Sequence, residues 1–426
     1  MPSSKPATPP DSPWISAEEA ATLLGVKRAS LYSYVSRGLL RAQRLPQQKG
    51  SSYLLSDVTR LARQRAAIRN PAKVAQSALD WGQAVLPSAI TRVSDGQFFY
   101  RGRNAVELAE HASLEDVAAL LWQCEPMRAP KQIKPPVSPR SGEPLPNASQ
   151  VLTRWFDMAT SLAKDATATC EAQMPYVHAM CSALLGQPFS SEDCATPIHQ
   201  RLQQHWQLTD DAADLLRRAL VLCADHELNA STFAVRVVAS TGASLHASLG
   251  AGLAALSGPK HGGMAALIDQ HWDDWHASSR DTGGLASSLQ RLLHETQIGQ
   301  TPSYCAGFGH PLYPQGDPRS SALLAAMPTQ PEVQSLTAKV LELTGLHPSL
   351  DYALVAIQRS LQLPRGTAFV LFALGRSVGW MAHAQEQVAS GQLIRPRAVY
   401  PVEDEHVSSP PGTSTHDATR RLVRFR

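Results

Sequence analysis

Several short segments of this 426-residue chain combine residue types that can move protons and hold anions. His226 lies in HELNASTF, where position 230 is Ala, so the segment is not the HExxH of a zinc protease. A single histidine near a helix start is ordinarily a hydrogen-bonded core residue. His261 sits in GPKHGG and His310 in GFGHPLY, each beside glycines that let backbone and ligand come close. Pro311 disfavours a helical backbone at His310. Asp317-Pro318-Arg319 has the form of an N-cap, a first helical residue and a first-turn arginine. That places Arg319 near a positive helix end, where an anion is stabilised. Asp351 follows HPSL and is also expected to open a helix. Arg376 interrupts the apolar run TAFVLFALGRSVGWMAHA, and a buried guanidinium requires a counter-charge. A structural ion pair with Glu386 would supply one, and an anionic ligand would supply another. Arg395 follows in RPRAVY. Each feature alone has a structural explanation. Together they suit a multiply anionic substrate, with arginines clamping carboxylates and with His261, His310 and Asp351 as acid and base.

The elements that must position these residues read as mainly helical from about residue 75. A small hairpin is expected over Ile90–Phe99, turning at Asp95-Gly96. Pro126–Pro146 reads as an irregular surface excursion, with helices resuming at Ser149. Gly242–Gly258 is crowded with Ala, Gly and Ser, which predicts a helix packed closely in a core or a subunit interface. Net charge is +3, so the whole chain is not a nucleic-acid polyelectrolyte. The six cysteines form no CxxC pair, which predicts free thiols in a reducing compartment. MPSSKPATPPDSP lacks a signal-peptide core, and no apolar run is long enough to span a bilayer. A soluble, cytoplasmic protein is expected.

Residues 14–70 carry a separate pattern. Ser16 and Glu19 form a capping box, AEEAATLLG ends at Gly25, and a second helix runs from Arg28 to Ser36, stopping at Gly38. A short wing and a helix capped by Ser56 or Asp57 follow. The segment resembles the winged helix-turn-helix of MerR-like and excisionase-like proteins, through Ala20-Ala21, Leu24-Gly25-Val26, Leu31-Tyr32, Gly38-Leu39-Leu40, Tyr53 and Asp57-Val58. On a DNA-binding reading, Lys27, Arg28, Ser30, Tyr32 and Ser33 face the major groove, while Arg37, Arg41, Arg44 and Lys49 meet phosphates. On the other reading, the module only docks or decorates a dimer.

HELNASTF, GPKHGG, GFGHPLY with DPR, the Leu350-Asp351 pair, GRSVGW and RPR resemble, in order, the signature of the citrate synthase family. So do Tyr100-Arg101-Gly102 and SLEDVAALLW. The resemblance runs from about Trp81 to Tyr400 and is weaker over Pro126–Glu171. It implies large and small helical domains and condensation of acetyl-CoA or propionyl-CoA with oxaloacetate, giving citrate or 2-methylcitrate and CoA. It implies that His226, His310, Arg319 and Arg376 hold oxaloacetate, with Phe372 lining the pocket. Asp351 would take the α-proton, His261 would donate to the thioester oxygen, and His310 would polarise the ketone. Arg395 would reach into a partner subunit's site, so the unit would be a homodimer or a higher homo-oligomer. No metal or redox cofactor is implied, and coenzyme A enters as substrate. The chain departs from the family at PLYPQG, where a basic residue for CoA phosphate is often found after the histidine. The expected division is a disordered tail at 1–13, a winged helix-turn-helix at 14–70, large-domain parts at 71–263 (irregular at 126–148) and 354–400, a small domain at 264–353, and a flexible arm at 401–426. The competing function is a DNA-binding regulator whose synthase-like domain senses a dicarboxylate or an acyl-CoA.

Overall fold

The computed structural model describes residues 14–36, 39–43, 51–54, 57–58, 61, 86–125, 144–158, 170–278 and 306–396. The chain separates into two compact units, one of residues 1–84 with 396–426 and one of residues 85–395. The expectations for the two terminal tails, for the 126–143 excursion, and for Arg37, Gly38, Arg44, Lys49 and Ser56 lie outside the described residues.

In the first unit, β1 (Trp14–Ser16), β2 (Ala42–Gln43) and β3 (Ser52–Leu54) form an antiparallel sheet with β3 central. Helices α1 (Ala17–Leu24) and α2 (Arg28–Ser36) match the sequence pattern closely. The Ser16–Glu19 capping box is formed, and Gly25 closes α1 in a left-handed conformation that a residue without Cβ adopts cheaply. Ala20, Ala21, Leu24, Leu31, Leu40, Tyr53, Val58 and Leu61 make a core of their own.

The second unit begins with a hairpin of β4 (Thr91–Ser94) and β5 (Gln97–Tyr100). Asp95 and Gly96 both take positive φ at its turn, as a two-residue hairpin loop requires. A third strand, β6 (Arg103–Asn104), was not legible in the sequence and pairs with β5. The rest is helical: α3 (Ala105–His111), α4 (Leu114–Trp122), α5 (Ala148–Asp157), α6 (Cys170–Leu185), α7 (Ile198–Trp206), α8 (Asp210–Cys223), α9 (Ala230–Ser240), α10 (Leu245–Leu256), α11 (Met264–Ser278), α12 (Pro318–Ala326), α13 (Pro331–Thr344), α14 (Leu350–Ser360) and α15 (Thr367–Ser390). Helix α15 is buried along most of its length and packs against α4, α6, α8, α9, α10 and α14. The small residues of α10 let it approach these neighbours. A Cβ on Gly252 would sit 2.6 Å from Val235 and 2.9 Å from Trp380, so this segment belongs to the core. Arginines close helix ends: the buried Arg217 donates to the carbonyls of Ala109, Glu110 and Ala112, and the half-buried Arg101 to that of Leu121. The cysteines correct one expectation. Cys181, Cys194 and Cys223 are free, whereas Cys124 is disulfide-bonded.

Candidate active site

The loop before α12 and the loop before α14 pair with one another. Phe308 bridges Pro348, Gly309 N–H donates to the His347 carbonyl at 2.7 Å, and Ser349 N–H to that of Gly307 at 2.9 Å. Gly307 and Gly309 both take φ 81°, which lets this loop turn twice within three residues. His310 therefore leaves the ladder on one strand while Asp351 opens the helix that follows the other. Asp317 ties the two further. It caps α12 through Arg319 N–H, accepts Leu350 N–H at 3.2 Å, and holds the Arg319 guanidinium at 2.9 and 2.7 Å. Asp317 and Arg319 are both buried, so Arg319 carries its own counter-ion rather than standing alone at a helix end.

His226 lies on the loop between α8 and α9. Its Nε2 is 2.8 Å from the Tyr313 hydroxyl, and its ring meets that of His310 edge-on at 5.2 Å. Tyr313 also lies beside His310 (5.0 Å between rings) and against the Arg319 guanidinium. Sequence reasoning missed Tyr313 as a site residue; its position three after His310, on the same Gly-rich turn, was the available signal. The loop is anchored by Tyr100, whose buried hydroxyl accepts from Asp225 N–H and bonds the Val221 carbonyl at 2.9 Å. This accounts for the tyrosine of the Tyr100-Arg101-Gly102 motif.

Arg376 is buried on α15, where its Nε donates to the Cys223 carbonyl at 2.9 Å. Its Nη1 has no hydrogen-bond partner. Glu386 does not pair with it. That carboxylate bonds Arg236 and the Ala89 amide instead, because Arg376 and Glu386 are ten residues apart and Arg236 on α9 faces Glu386. Phe372, one turn before Arg376, lies under the guanidinium at 4.9 Å and edge-on to the His261 ring at 5.9 Å. The glycines after His261 serve the protein's own packing: a Cβ on Gly262 would strike Leu256, and one on Gly263 the Gly258 carbonyl. His261 Nε2 is 2.9 Å from Ser231 Oγ. Ser231 donates to Asn229 Oδ1 at 2.8 Å and accepts from Trp380 Nε1, while Thr232 N–H fixes Asn229 Oδ1 as an acceptor. The proton between Ser231 and His261 thus belongs to the ring in this state.

Electrostatics follow from this burial. Burial, with nearby Arg319, His310 and Arg376, pushes His226 well below its ordinary value. Burial and Arg376 push His261 down to about 3, and burial and Arg319 push His310 down to about 4. All three imidazoles are neutral at pH 7. Leu312 N–H donates to His310 Nδ1, which leaves the neutral ring's proton on Nε2. Burial raises Asp351 to about 6, against the opposing pull of Arg319 and Arg376.

The structure thus gathers His226, His310 and Arg319 around Tyr313, with Asp317 tying Arg319 to the start of the helix that carries Asp351, and sets Arg376, Phe372 and His261 in a row. Arg395 is exposed beyond the end of α15, outside this cluster. In the first unit, Lys27, Arg28, Tyr32 and Ser33 are exposed and Ser30 is half-buried. Arg41 bonds Asp57 at 2.8 and 3.1 Å, which gives a buried carboxylate a cation while the arginine side chain stays largely exposed. Among the described residues, no group of three or more His, Cys, Asp or Glu could hold a metal ion, and no helix is long and apolar enough to cross a membrane.

Residues 139–397 match the family model "Citrate synthase, C-terminal domain", which is more than half of the chain, and the chain belongs to the citrate synthase family. It is similar to the citrate synthase of Corynebacterium glutamicum, at 26% identity over 354 residues that cover 71% of this chain and 79% of that protein. Its fold is similar to that of the crystal structure of citrate synthase from Thermotoga maritima (TM-score 0.57, 23% identity, 79% of this chain and 98% of that one). It is also similar in fold to the Thermoplasma acidophilum citrate synthase in ternary complex with carboxymethyl coenzyme A and oxaloacetate (TM-score 0.56, 23% identity, the same coverage).

Proposed function

We propose that this protein condenses an acyl-CoA, acetyl-CoA or propionyl-CoA, with oxaloacetate to give citrate or 2-methylcitrate and CoA. The observation that carries the reading is a pairing. Asp351 is a carboxyl group raised to about 6, and it shares a region with neutral imidazoles and with Arg376, whose Nη1 is unpartnered. An α-proton on a thioester is very weakly acidic, so its removal needs a base and a hydrogen-bond donor acting together away from water. Asp351 takes that proton. His261 stabilises the enol oxygen through Nδ1–H; the neutral ring must first take its other tautomer, losing the Nε2 proton to water and gaining one on Nδ1, while the Ser231 hydroxyl turns from Asn229 to donate to the bare Nε2. The enol carbon attacks the oxaloacetate ketone, whose oxygen receives a proton from His310 Nε2. Water then cleaves the thioester, releasing CoA. His226, Arg319 and Arg376 hold the dicarboxylate, Phe372 lines the pocket, and Arg395 serves the site of a second subunit in a homodimer. Residues 264–353 act as the small domain that shuts the site.

Release of free thiol from acetyl-CoA or propionyl-CoA, dependent on oxaloacetate, tests the proposal. No release with either thioester defeats it. Lys27, exposed just before α2, and the exposed Arg28 and Tyr32 on it favour a second role, DNA binding by a winged helix-turn-helix. A gel shift at low salt that is lost on deleting residues 1–70 would support that role, and no shift in the full chain would dismiss it.

A further inference from the structure

Arg376 Nη1 and Asp225 Oδ1 are both buried, and neither has a hydrogen-bond partner. They are opposite charges on neighbouring segments, and joining them would satisfy both. Three residues of α15 at helical spacing meet the end of α8 in turn. Arg376 donates to the Cys223 carbonyl, Gly379 N–H donates to the Ala224 carbonyl at 3.0 Å, and His383 meets the Asp225 carboxylate at 3.3 Å. Position 379 has no room for a side chain, since a Cβ there would lie 2.5 Å from Asp225 Oδ1. Thr91 Oγ1 donates to Asp225 Oδ2 at 2.6 Å. Arg236 Nε donates to His383 Nδ1 at 3.0 Å, so the ring's proton sits on Nε2 and points at Asp225. Arg236 is itself matched by Glu386, which leaves the Asp225 charge unclaimed by any arginine it touches.

We propose that Asp225 is the internal counter-ion of Arg376, held short of direct contact by His383 and Thr91 so that the guanidinium stays charged yet open to a carboxylate of the substrate. Asp225 is then a positioning residue that acts through Arg376, and the proposal rests on the oxaloacetate reading only for what Arg376 receives. Separating two buried opposite charges is costly, and a substrate carboxylate reaching the guanidinium would offset that cost. The same arrangement explains why a buried arginine persists with a single backbone acceptor.

Two arms test it on the full chain. In the first, the apo protein is melted as wild type, Asp225→Asn, Arg376→Met and the double variant. Asp225→Asn should lower Tm by about 4 °C when Arg376 is present and by much less in the Arg376→Met background. An equal loss in both backgrounds overturns the counter-ion. In the second, oxaloacetate affinity is measured by calorimetry. His383→Ala should weaken binding ~10-fold, as Asp225 swings onto Arg376, and adding Asp225→Asn should restore most of it. Weak binding in both variants overturns the proposal, because His383 would then act without Asp225. The second arm needs no Arg376 variant, so a failure of Arg376→Met to fold leaves the proposal open to refutation. Absence of oxaloacetate binding by the wild type would sink the functional reading, while the melting cycle would still judge the counter-ion.

Discussion

Asp351 is set apart from the other carboxylates near it by what it lacks. Asp317 holds three nitrogens of Arg319 and Asp225 holds Thr91 and His383, and both are kept low. Asp351 feels the same arginines only at a distance, so burial dominates and raises it to about 6. The rate at low substrate should therefore rise as pH increases through about 6 and level off above it, measurable as log kcat/KM against pH. A flat profile from pH 5 to 8 would contradict the assignment. Asp351→Asn should cut kcat by about 10²–10⁴ while oxaloacetate binding stays within a few-fold. Ser231 is the second residue whose change is informative. Ser231→Ala removes the hydroxyl that sets the His261 proton, and kcat should fall ~10-fold or more with little change in KM for oxaloacetate. Unchanged kcat would show that His261 does not depend on that contact.

At the scale of elements, close approach is what aligns the site. Gly252 on α10, and Gly375 and Gly379 on α15, bring helix backbones and loops nearer than any side chain allows. Gly252→Ala should destabilise the fold by about 1–3 kcal/mol, because Val235 and Trp380 must give way. Chemical denaturation would read this as a lower midpoint at constant m. The neighbouring α10 face carries a different risk. A Cβ on Gly250 would press on Phe156, a half-exposed ring that is free to move on one side, so Gly250→Ala should cost less than Gly252→Ala. The ladder between 307–309 and 347–349 does for two loops what these glycines do for helices. It fixes His310 relative to Asp351 through backbone bonds alone.

For the whole molecule, pH couples to stability through neutral buried histidines. His178, His226, His261 and His310 all titrate below their ordinary value in the fold. Between about 6.5 and those lower values the unfolded chain binds more protons, so stability is full above about pH 6.5 and is lost as pH falls. His178, fully buried and lowered to about 3, alone contributes a loss of about 2 kcal/mol by pH 5. Asp351 acts in the opposite sense. Its raised value means that its ionisation weakens the fold as pH rises from about 4 to 6, with no further change above. Four histidines outweigh one carboxyl, so Tm should be clearly lower at pH 5 than at pH 7. An equal or higher Tm at pH 5 would refute neutral burial of these rings.

The helical class, the hairpin at Asp95-Gly96, the capping box at Ser16 and the α2 limits were legible in the sequence, because each depends on residues within a turn or two of one another. The candidate residues His226, His261, His310, Arg319, Asp351 and Arg376 could be named for the same reason, since each sits in a short motif of glycine, proline or helix-cap chemistry. Which charge answers which was not legible. Glu386 belongs to Arg236, and Asp225 to His383 and Thr91. Those pairings join segments up to 158 residues apart. Charge partners over such distances are chosen by how the helices pack and not by local spacing. Tertiary structure alone therefore decided that, among the described residues, the buried Arg376 Nη1 is left without a partner, and the proposal above gives that donor to a substrate carboxylate.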